Sequence, residues 1–258
     1  MPYTIFSNDD DVKINVISGH PLTSVFVKRN HHEVLFRQIN TYLIKNKLIK
    51  NNIIDLGAWI GDNTIPWAKN IDGIVYAIDP SPYNCLFIQK TAELNNLTNV
   101  KVIQSAISDK NELLSTNENL DHCSFVYGNP GIDGVNKVNS VSLDFLYETR
   151  KIDNIGYIHL DVEGMESKVI SGAFGIIDKF KPIISFEQHL EIDDYNALCN
   201  TLTEKQYEVF MINEVLPGCR PDCRNFIAFS NIDITEFKNN FSSKLTHHSS
   251  NHNTTRLI

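Results

Sequence analysis

Residues 52–62 read NIIDLGAWIGD. The apolar pair Ile53 and Ile54 suits a strand buried on both faces of a parallel sheet. Asp55 stands where that strand gives out. Gly57 and Gly61 follow, four apart, and let the backbone turn tightly and approach a ligand with no Cβ in the way. Strand, loop and the helix expected next put that ligand outside the carboxyl end of the strand. The stretch predicts an α/β fold, doubly wound, with helices on both faces.

The same loop narrows the ligand. A dinucleotide fingerprint, G-x-G-x-x-G, needs its middle glycine so that the backbone can reach a pyrophosphate. Trp59 occupies that place here, which argues against NAD and FAD. No G-x-x-x-x-G-K-[ST] occurs, so a phosphate cradle is not indicated. An acid ahead of two spaced glycines suits a cofactor without phosphates, and Asp55 can help hold a cationic amino-acid moiety or a water. S-adenosylmethionine fits that description; the bland alternative is a plain turn between strand and helix.

Working outward, residues 63–70 read as a helix that begins at Asn63 and Thr64 and tolerates Pro66 only in its first turn. GIVYAIDPSP, residues 73–82, gives a second buried strand over 74–78 that ends in Asp79. An acid there receives ribose hydroxyls in nucleotide-binding α/β folds, through charge-assisted hydrogen bonds. Pro80, Ser81 and Pro82 close the strand and open a helix over 83–95, expected to bury Leu86, Phe87, Thr91 and Leu94, with Cys85 in the core. VKVIQSAIS, residues 100–108, gives a third strand over 100–106, placing Ser105 and Ala106 near an adenine. Five positions ending three strands in order (Asp55, Gly57, Gly61, Asp79, Ala106) are far more specific than any one alone.

A second informative stretch is YIHLDVEGMESKVISGA, residues 157–173. Its strand runs over 157–160 and Asp161 lies at the carboxyl end. Glu163 and Glu166 follow at a strand-to-helix turn, where both suit a helix N-terminus. On an extended backbone Asp161 and Glu163 point the same way. PIISFEQH, residues 182–189, is the fifth strand, with Glu187 and His189 at its end. Asp161 and Glu187 are therefore expected to approach each other over the edge of the sheet. Such a pair suits a divalent metal through oxygen ligands, or orients His189, the natural general base at neutral pH. Helix 193–206 and strands in YEVFMIN and RNFIAFS close a seven-stranded sheet. Between those strands Cys219 and Cys223 form a lone C-x-x-x-C; a structural zinc needs four ligands and no second pair is visible, so the cysteines read as incidental.

Ahead of the first loop, VKINVI and SVFVK alternate enough for an edge hairpin around Gly19, His20 and Pro21. Residues 31–49 follow a helical period with Val34, Leu35, Ile39, Tyr42 and Leu43 on one face, and His31 and His32 near the start. Residues 110–139 are irregular, with His122, Tyr127 and Asn129 as candidate substrate contacts in a loop long enough to shape a pocket.

The chain has 258 residues, enough for one large α/β domain with a full core. A formal net charge of −8 offers no positive field to steer nucleic acid or an anionic membrane. Five widely spread cysteines make a disulfide framework unlikely and point to a reducing, cytoplasmic compartment. The N-terminus lacks the basic flank and apolar core of a signal peptide, and no apolar run approaches bilayer length.

These residues resemble the FkbM-type family of class I S-adenosylmethionine-dependent methyltransferases. The resemblance runs over about residues 52–229. It rests on IIDLGAWIGDNT, VYAIDPSP, SAIS, VSLDFL, IHLDVEGMESKVISGA and KPIISFEQH, the last three being the more family-specific. It implies a Rossmann-like, seven-stranded, mostly parallel sheet with an antiparallel closing strand. It implies S-adenosylmethionine held by Asp55, Gly57, Ala58, Trp59, Gly61, Asn63, Thr64, Asp79, Pro80, Ser81, Ser105, Ala106 and Asp161. Asp161, Glu163, Glu187 and His189 correspond to the acceptor side, and methyl transfer goes to a hydroxyl of a sugar, glycan or related small molecule. Asp79 departs from the glutamate common at that position. The domain reading is residues 1–51 as strands and a helix packed on the core, 52–240 as the methyltransferase domain with its insertion at about 110–139, and 241–258 as a polar, disordered tail. Homo-oligomerisation and use of a divalent metal stay open. The competing readings are a non-catalytic cofactor- or glycan-binding module, a nicotinamide oxidoreductase, and a methyltransferase acting on protein or RNA.

Overall fold

The computed structural model describes residues 3–6, 12–28, 32–116, 136–216 and 219–249. In chain order these form β1 (Tyr3–Phe6), β2 (Lys13–Val16), α1 (Pro21–Lys28), α2 (Val34–Lys45), β3 (Asn52–Leu56), α3 (Thr64–Asn70), β4 (Val75–Asp79) and α4 (Pro82–Leu94). There follow β5 (Val100–Gln104), β6 (Ala106–Ile107), β7 (Glu112–Thr116), β8 (Asn136–Val141), α5 (Leu143–Glu148), β9 (Ile155–Leu160), α6 (Glu166–Ser171) and α7 (Phe174–Phe180). The last are β10 (Ile183–His189), α8 (Tyr195–Glu204), β11 (Glu208–Ile212), β12 (Cys223–Phe229), α9 (Thr235–Phe241) and β13 (Leu245–His247).

The central sheet is mixed, with strand order β13-β11-β12-β10-β9-β3-β4-β5. The pairs from β10 across to β5 are parallel. The β10–β12, β12–β11 and β11–β13 pairs are antiparallel. The expected seven strands are therefore corrected to eight, and two of them, β12 and β13, run against the rest. The extra one, β13, comes from the stretch read as a disordered tail. It holds to β11 by backbone pairing, Met211 opposite Thr246, which a polar edge sequence can supply without any hydropathy signal.

Strand alternation divides the core. Ile54, Leu56, Ile158, Leu160, Ile184 and Phe186 point to the face packed with α5, α6, α7 and α8. Ile53, Val75, Tyr157, Ile183 and Ile227 point to the opposite face, beneath α2, α3 and α9. That face carries the odd-numbered positions of β9 and β10, so Asp55, His159, Glu187 and His189 all belong to it.

Four further expectations change. SVFVK forms the body of α1 instead of a strand, because Pro21 opens the helix and Leu22 and Phe26, one turn apart, bury together; β2 pairs with β1 instead. The buried face of α2 is Phe36, Arg37, Ile39, Asn40, Leu43 and Ile44, rotated from the expected set. Leu86 is 48% exposed, since the buried stripe of α4 runs through Cys85, Ile88 and Ala92. The third strand ends at Gln104, short of the expected Ala106, which pairs into a separate small sheet, β6-β8-β7. His31, His122, Tyr127 and Asn129 lie outside the described residues. Among the described residues, no helix is long and apolar enough to cross a membrane.

Candidate active site

The strand ends β4, β3, β9 and β10 lie side by side, and their last residues make a row of buried polar groups. At β3, Gly57 (φ 73), Trp59 (φ 45) and Gly61 (φ 76) are all left-handed. Gly57 is forced: a Cβ there would sit 1.8 Å from the Asp161 carbonyl oxygen. The loop therefore abuts the end of β9, where the Asp161 N–H donates to the Leu56 carbonyl at 3.0 Å.

Asp79, the last residue of β4, fixes the loop from the other side. Its carboxylate accepts from the backbone N–H of Trp59 (2.9 Å) and of Ser81 (2.8 Å), and from Asn84 Nδ2 (3.1 Å). Burial pushes the Asp79 carboxyl up to about 6, although these donors pull the other way. Pro80 and Ser81 make the turn into α4, and Ser81 caps that helix through the Asn84 N–H. Cys85 is buried as expected, and its thiol donates to the Asp79 carbonyl at 3.3 Å.

Asp55 is held by its own chain: Thr64 Oγ1 donates to one carboxylate oxygen, and His159 Nδ1 lies 2.8 Å from the other. His159 is fully enclosed between Phe36 and Trp67. Desolvation presses its pKa down, but the Asp55 carboxylate outweighs that and holds it above the usual imidazole value. Sequence reasoning passed over His159 because an alternating strand residue carries no motif. It also passed over the buried pair of Arg37 and Asp62, at 2.7 Å, which ties α2 to the end of the loop. Ala58, Asn63, Ser105 and Ala106 are buried around this end.

On the other half of the row, Asp161 follows β9 and Glu163 stands in a left-handed turn (φ 53), exposed. The chain is not extended there, so the two acids do not share a strand face as expected. Glu166 is the acid that organises the turn. It is buried, accepts from the Val162 N–H (3.1 Å) and Gly164 N–H (3.4 Å), and receives Gln188 Nε2 at 3.1 Å. Burial pushes its carboxyl up to about 7.

Glu187 and His189 end β10. His189 Nε2 lies 4.0 Å from Glu187 Oε1, and its Nδ1 lies 3.5 Å from Asp193 Oδ2. Burial, then the charges of Asp161 and Glu33, push the Glu187 carboxyl well above the usual range. The charge of Asp161, from the neighbouring strand end, thus reaches Glu187. The group of side chains close enough to share a metal ion, among the described residues, joins Glu187 to Cys219 and Cys223 and not to Asp161. The turn before β12 brings both cysteines, which the sequence left without partners, onto the end of β10.

The methyltransferase FkbM domain matches residues 55–209. No curated protein matches the sequence. Among solved structures, methyltransferase FkbM from Methylobacillus flagellatus KT is 16% identical with a TM-score of 0.50, covering 78% of this chain and 54% of that one. The chain thus spans about half the length of that relative. Precorrin-6y C5,15-methyltransferase from Geobacter metallireducens GS-15 is 12% identical with a TM-score of 0.44, covering 88% of this chain and 97% of that one. At 16% identity the likeness to the first of these shows the fold. The family match covers more than half of the sequence, and on that ground this chain belongs to the FkbM methyltransferase family.

Proposed function

We propose that the chain is an S-adenosylmethionine-dependent O-methyltransferase acting on a hydroxyl of a sugar, glycan or related small molecule. The observation that carries the reading is Asp79. A carboxylate offers about four lone-pair sites, and the chain itself fills three of them. The carboxyl is still pushed up to about 6, so its desolvation is under-compensated. Ribose hydroxyls are the donors that would complete it. Asn63 Oδ1 and Asn84 Oδ1, beside the loop, are buried acceptors with no hydrogen-bond partner. This set of acceptors therefore fits a hydroxylated, amino-bearing cofactor, with Gly57, Ala58, Trp59 and Gly61 as the backbone cradle, Thr64 fixing Asp55, and Pro80, Ser81, Ser105 and Ala106 around the adenosine.

When bound, S-adenosylmethionine supplies a methyl group already activated on a sulfonium sulfur. The protein's part is alignment of the acceptor oxygen with it, and most of the rate comes from that positioning. His189 Nε2 takes the proton from the acceptor hydroxyl, and the Asp193 and Glu187 carboxylates on either side hold the ring. Asp161 faces the same space and binds the acceptor. Polar side chains there suit a hydroxyl-rich acceptor.

The test is calorimetric titration of the folded protein with S-adenosylmethionine and S-adenosylhomocysteine, followed by turnover on hydroxylated acceptors. Heat is expected with both ligands. Folded protein that gives none defeats the reading. Replacing His189 with Ala is expected to lower kcat by about a hundredfold or more while leaving cofactor affinity intact; unchanged turnover removes His189 from the chemistry.

A further inference from the structure

The C-x-x-x-C of residues 219–223 acquires its missing partners only in the folded chain. Cys223 opens β12 opposite His189, and two residues on Asn225 stands opposite Glu187. Cys219 lies in the turn just before, closed by the Cys223 N–H donating to the Arg220 carbonyl at 3.0 Å. The ligand atoms of Glu187, Cys219 and Cys223 all fall within 4.8 Å of one another. From the segment before α2, His32 Nε2 comes to 3.1 Å from Cys219 Sγ. His32, Glu187 and Cys223 are buried and Cys219 is half-buried. The two thiols are not joined by a disulfide.

We propose that Cys219, Cys223, Glu187 and His32 form a binding site for a zinc-class divalent metal. Two sulfurs, one imidazole nitrogen and one carboxylate oxygen make the donor set of a closed tetrahedral site. A tetrahedral ion with sulfur at about 2.3 Å and nitrogen or oxygen at about 2.0 Å holds its ligands roughly 3.3–3.8 Å apart. Glu187, Cys219 and Cys223, spread over up to 4.8 Å, need only a small contraction; His32, which reaches Cys219 Sγ at 3.1 Å, would swing further in to complete the set.

The surroundings add a second, independent sign. The other ring nitrogen of His32, Nδ1, faces Glu33 Oε2 at 3.6 Å. A carboxylate behind a ligating histidine fixes its tautomer and ring orientation. Glu33 is itself held in place: Asn225 Nδ2 donates to its Oε1 at 2.9 Å, and Arg37 approaches its Oε2 at 3.9 Å. Glu33 also sits in a left-handed conformation (φ 55), a strained state that persists where surrounding structure demands it.

Charge points the same way. Glu33, Glu187 and Asp161 stand close together, and Arg37 is shared between Glu33 and Asp62, the latter at 2.7 Å. A dication would offset the negative charge gathered there. The ion would bind as the two thiols and the imidazole give up protons to solvent, with no change of oxidation state. It would clamp three distant segments, 32–33, 187 and 219–223, at the end of β10 beside His189. The two readings share Glu187, but the metal assay reads metal and not turnover, so each can fail without the other.

The test uses untagged full-length protein purified under reducing conditions. Elemental analysis by plasma mass spectrometry is expected to find close to one zinc per chain. Exchange with Co(II) is expected to give a thiolate-to-cobalt charge-transfer band. Cys219→Ser and Cys223→Ser are each expected to cut metal content at least tenfold, while Cys199→Ser, altered in α8, keeps it. Glu33→Gln is expected to weaken zinc binding about 10- to 100-fold, the signature of an orienting carboxylate. Mercurial titration of the wild-type thiols, read with a chromogenic chelator, is expected to release the metal without relying on any variant's folding. Folded, reduced protein that binds neither zinc nor cobalt would overturn the proposal. So would cobalt spectra that survive both serine variants, or a Cys219–Cys223 disulfide that leaves no metal uptake after reduction.

Discussion

At the tip of β4, Asp79 accepts from three donors of its own chain; at the tip of β10, Glu187 faces Asp161, Glu33 and two thiols. Both carboxyls are buried and both are pushed upward. The first is built around a rigid loop, with little for a ligand to supply beyond the last donor. The second gathers negative and soft ligand groups with few cations among them. Buried charges persist only when paired, hydrogen-bonded or bound to a metal. By that rule the cofactor half is nearly complete in the bare chain, and on the acceptor half the proposed metal would add to the pairing.

The sharpest way to break the contrast is at Gly57, where the two halves touch. Gly57→Ala would place a Cβ 1.8 Å from the Asp161 carbonyl oxygen, in a left-handed residue. Backbone must move on β3 or β9, because neither partner is a flexible side chain. The expected loss is at least about 4 kcal/mol of unfolding free energy, read by urea denaturation, together with loss of cofactor binding. A variant that kept wild-type stability would mean that the loop and the β9 turn are not rigidly apposed.

A smaller effect is expected at Asp79. Asp79→Asn keeps the size of the group but turns one acceptor into a donor that faces backbone N–H groups. Charge-assisted hydrogen bonds contribute about 1.5–3 kcal/mol, so affinity for S-adenosylhomocysteine should fall roughly 10- to 100-fold by calorimetry. Unchanged affinity would show that the group serves the loop alone.

The cofactor half was legible in the sequence and the acceptor half only partly. Asp55, Gly57, Gly61 and Asp79 announce themselves because a strand-to-helix turn compresses the needed residues into one short stretch. Their neighbours could be named from local spacing. Glu187, Cys219 and His32 come from three separated segments, and no local pattern records that they meet; the cysteines looked incidental for that reason. Asp161 and Glu163 were expected to share a face, but the turn at Glu163 is left-handed. The eighth strand was hidden because its pairing is backbone to backbone. Conversely β3, β4, β9 and β10 were each legible as apolar runs ending in or before an acid, since strands buried on both faces leave a strong hydropathy mark.

Glu166 gives the gentlest test of the contrast, because it is a buried acid on the acceptor half that does have internal donors. Its carboxyl is pushed up to about 7 by burial. In the unfolded chain it titrates near the ordinary glutamate value, about 4.3. Between those two values the folded state keeps a proton that the unfolded state releases, so stability falls as pH rises through that window and flattens above it. Glu166→Gln removes the titration. Its carbonyl can still accept from Val162 and Gly164, but its amide meets Gln188 Nε2, which must flip and give up its bond to the Glu187 carbonyl at 2.9 Å. That costs about 1 kcal/mol independently of pH. The variant is therefore expected to start below wild type at about pH 5 and to gain on it by roughly 2 kcal/mol by about pH 7, measured as paired urea curves. Parallel curves across that range would show that Glu166 stays ionised in the fold, and that its three donors fully offset burial, as the donors of Asp79 do not.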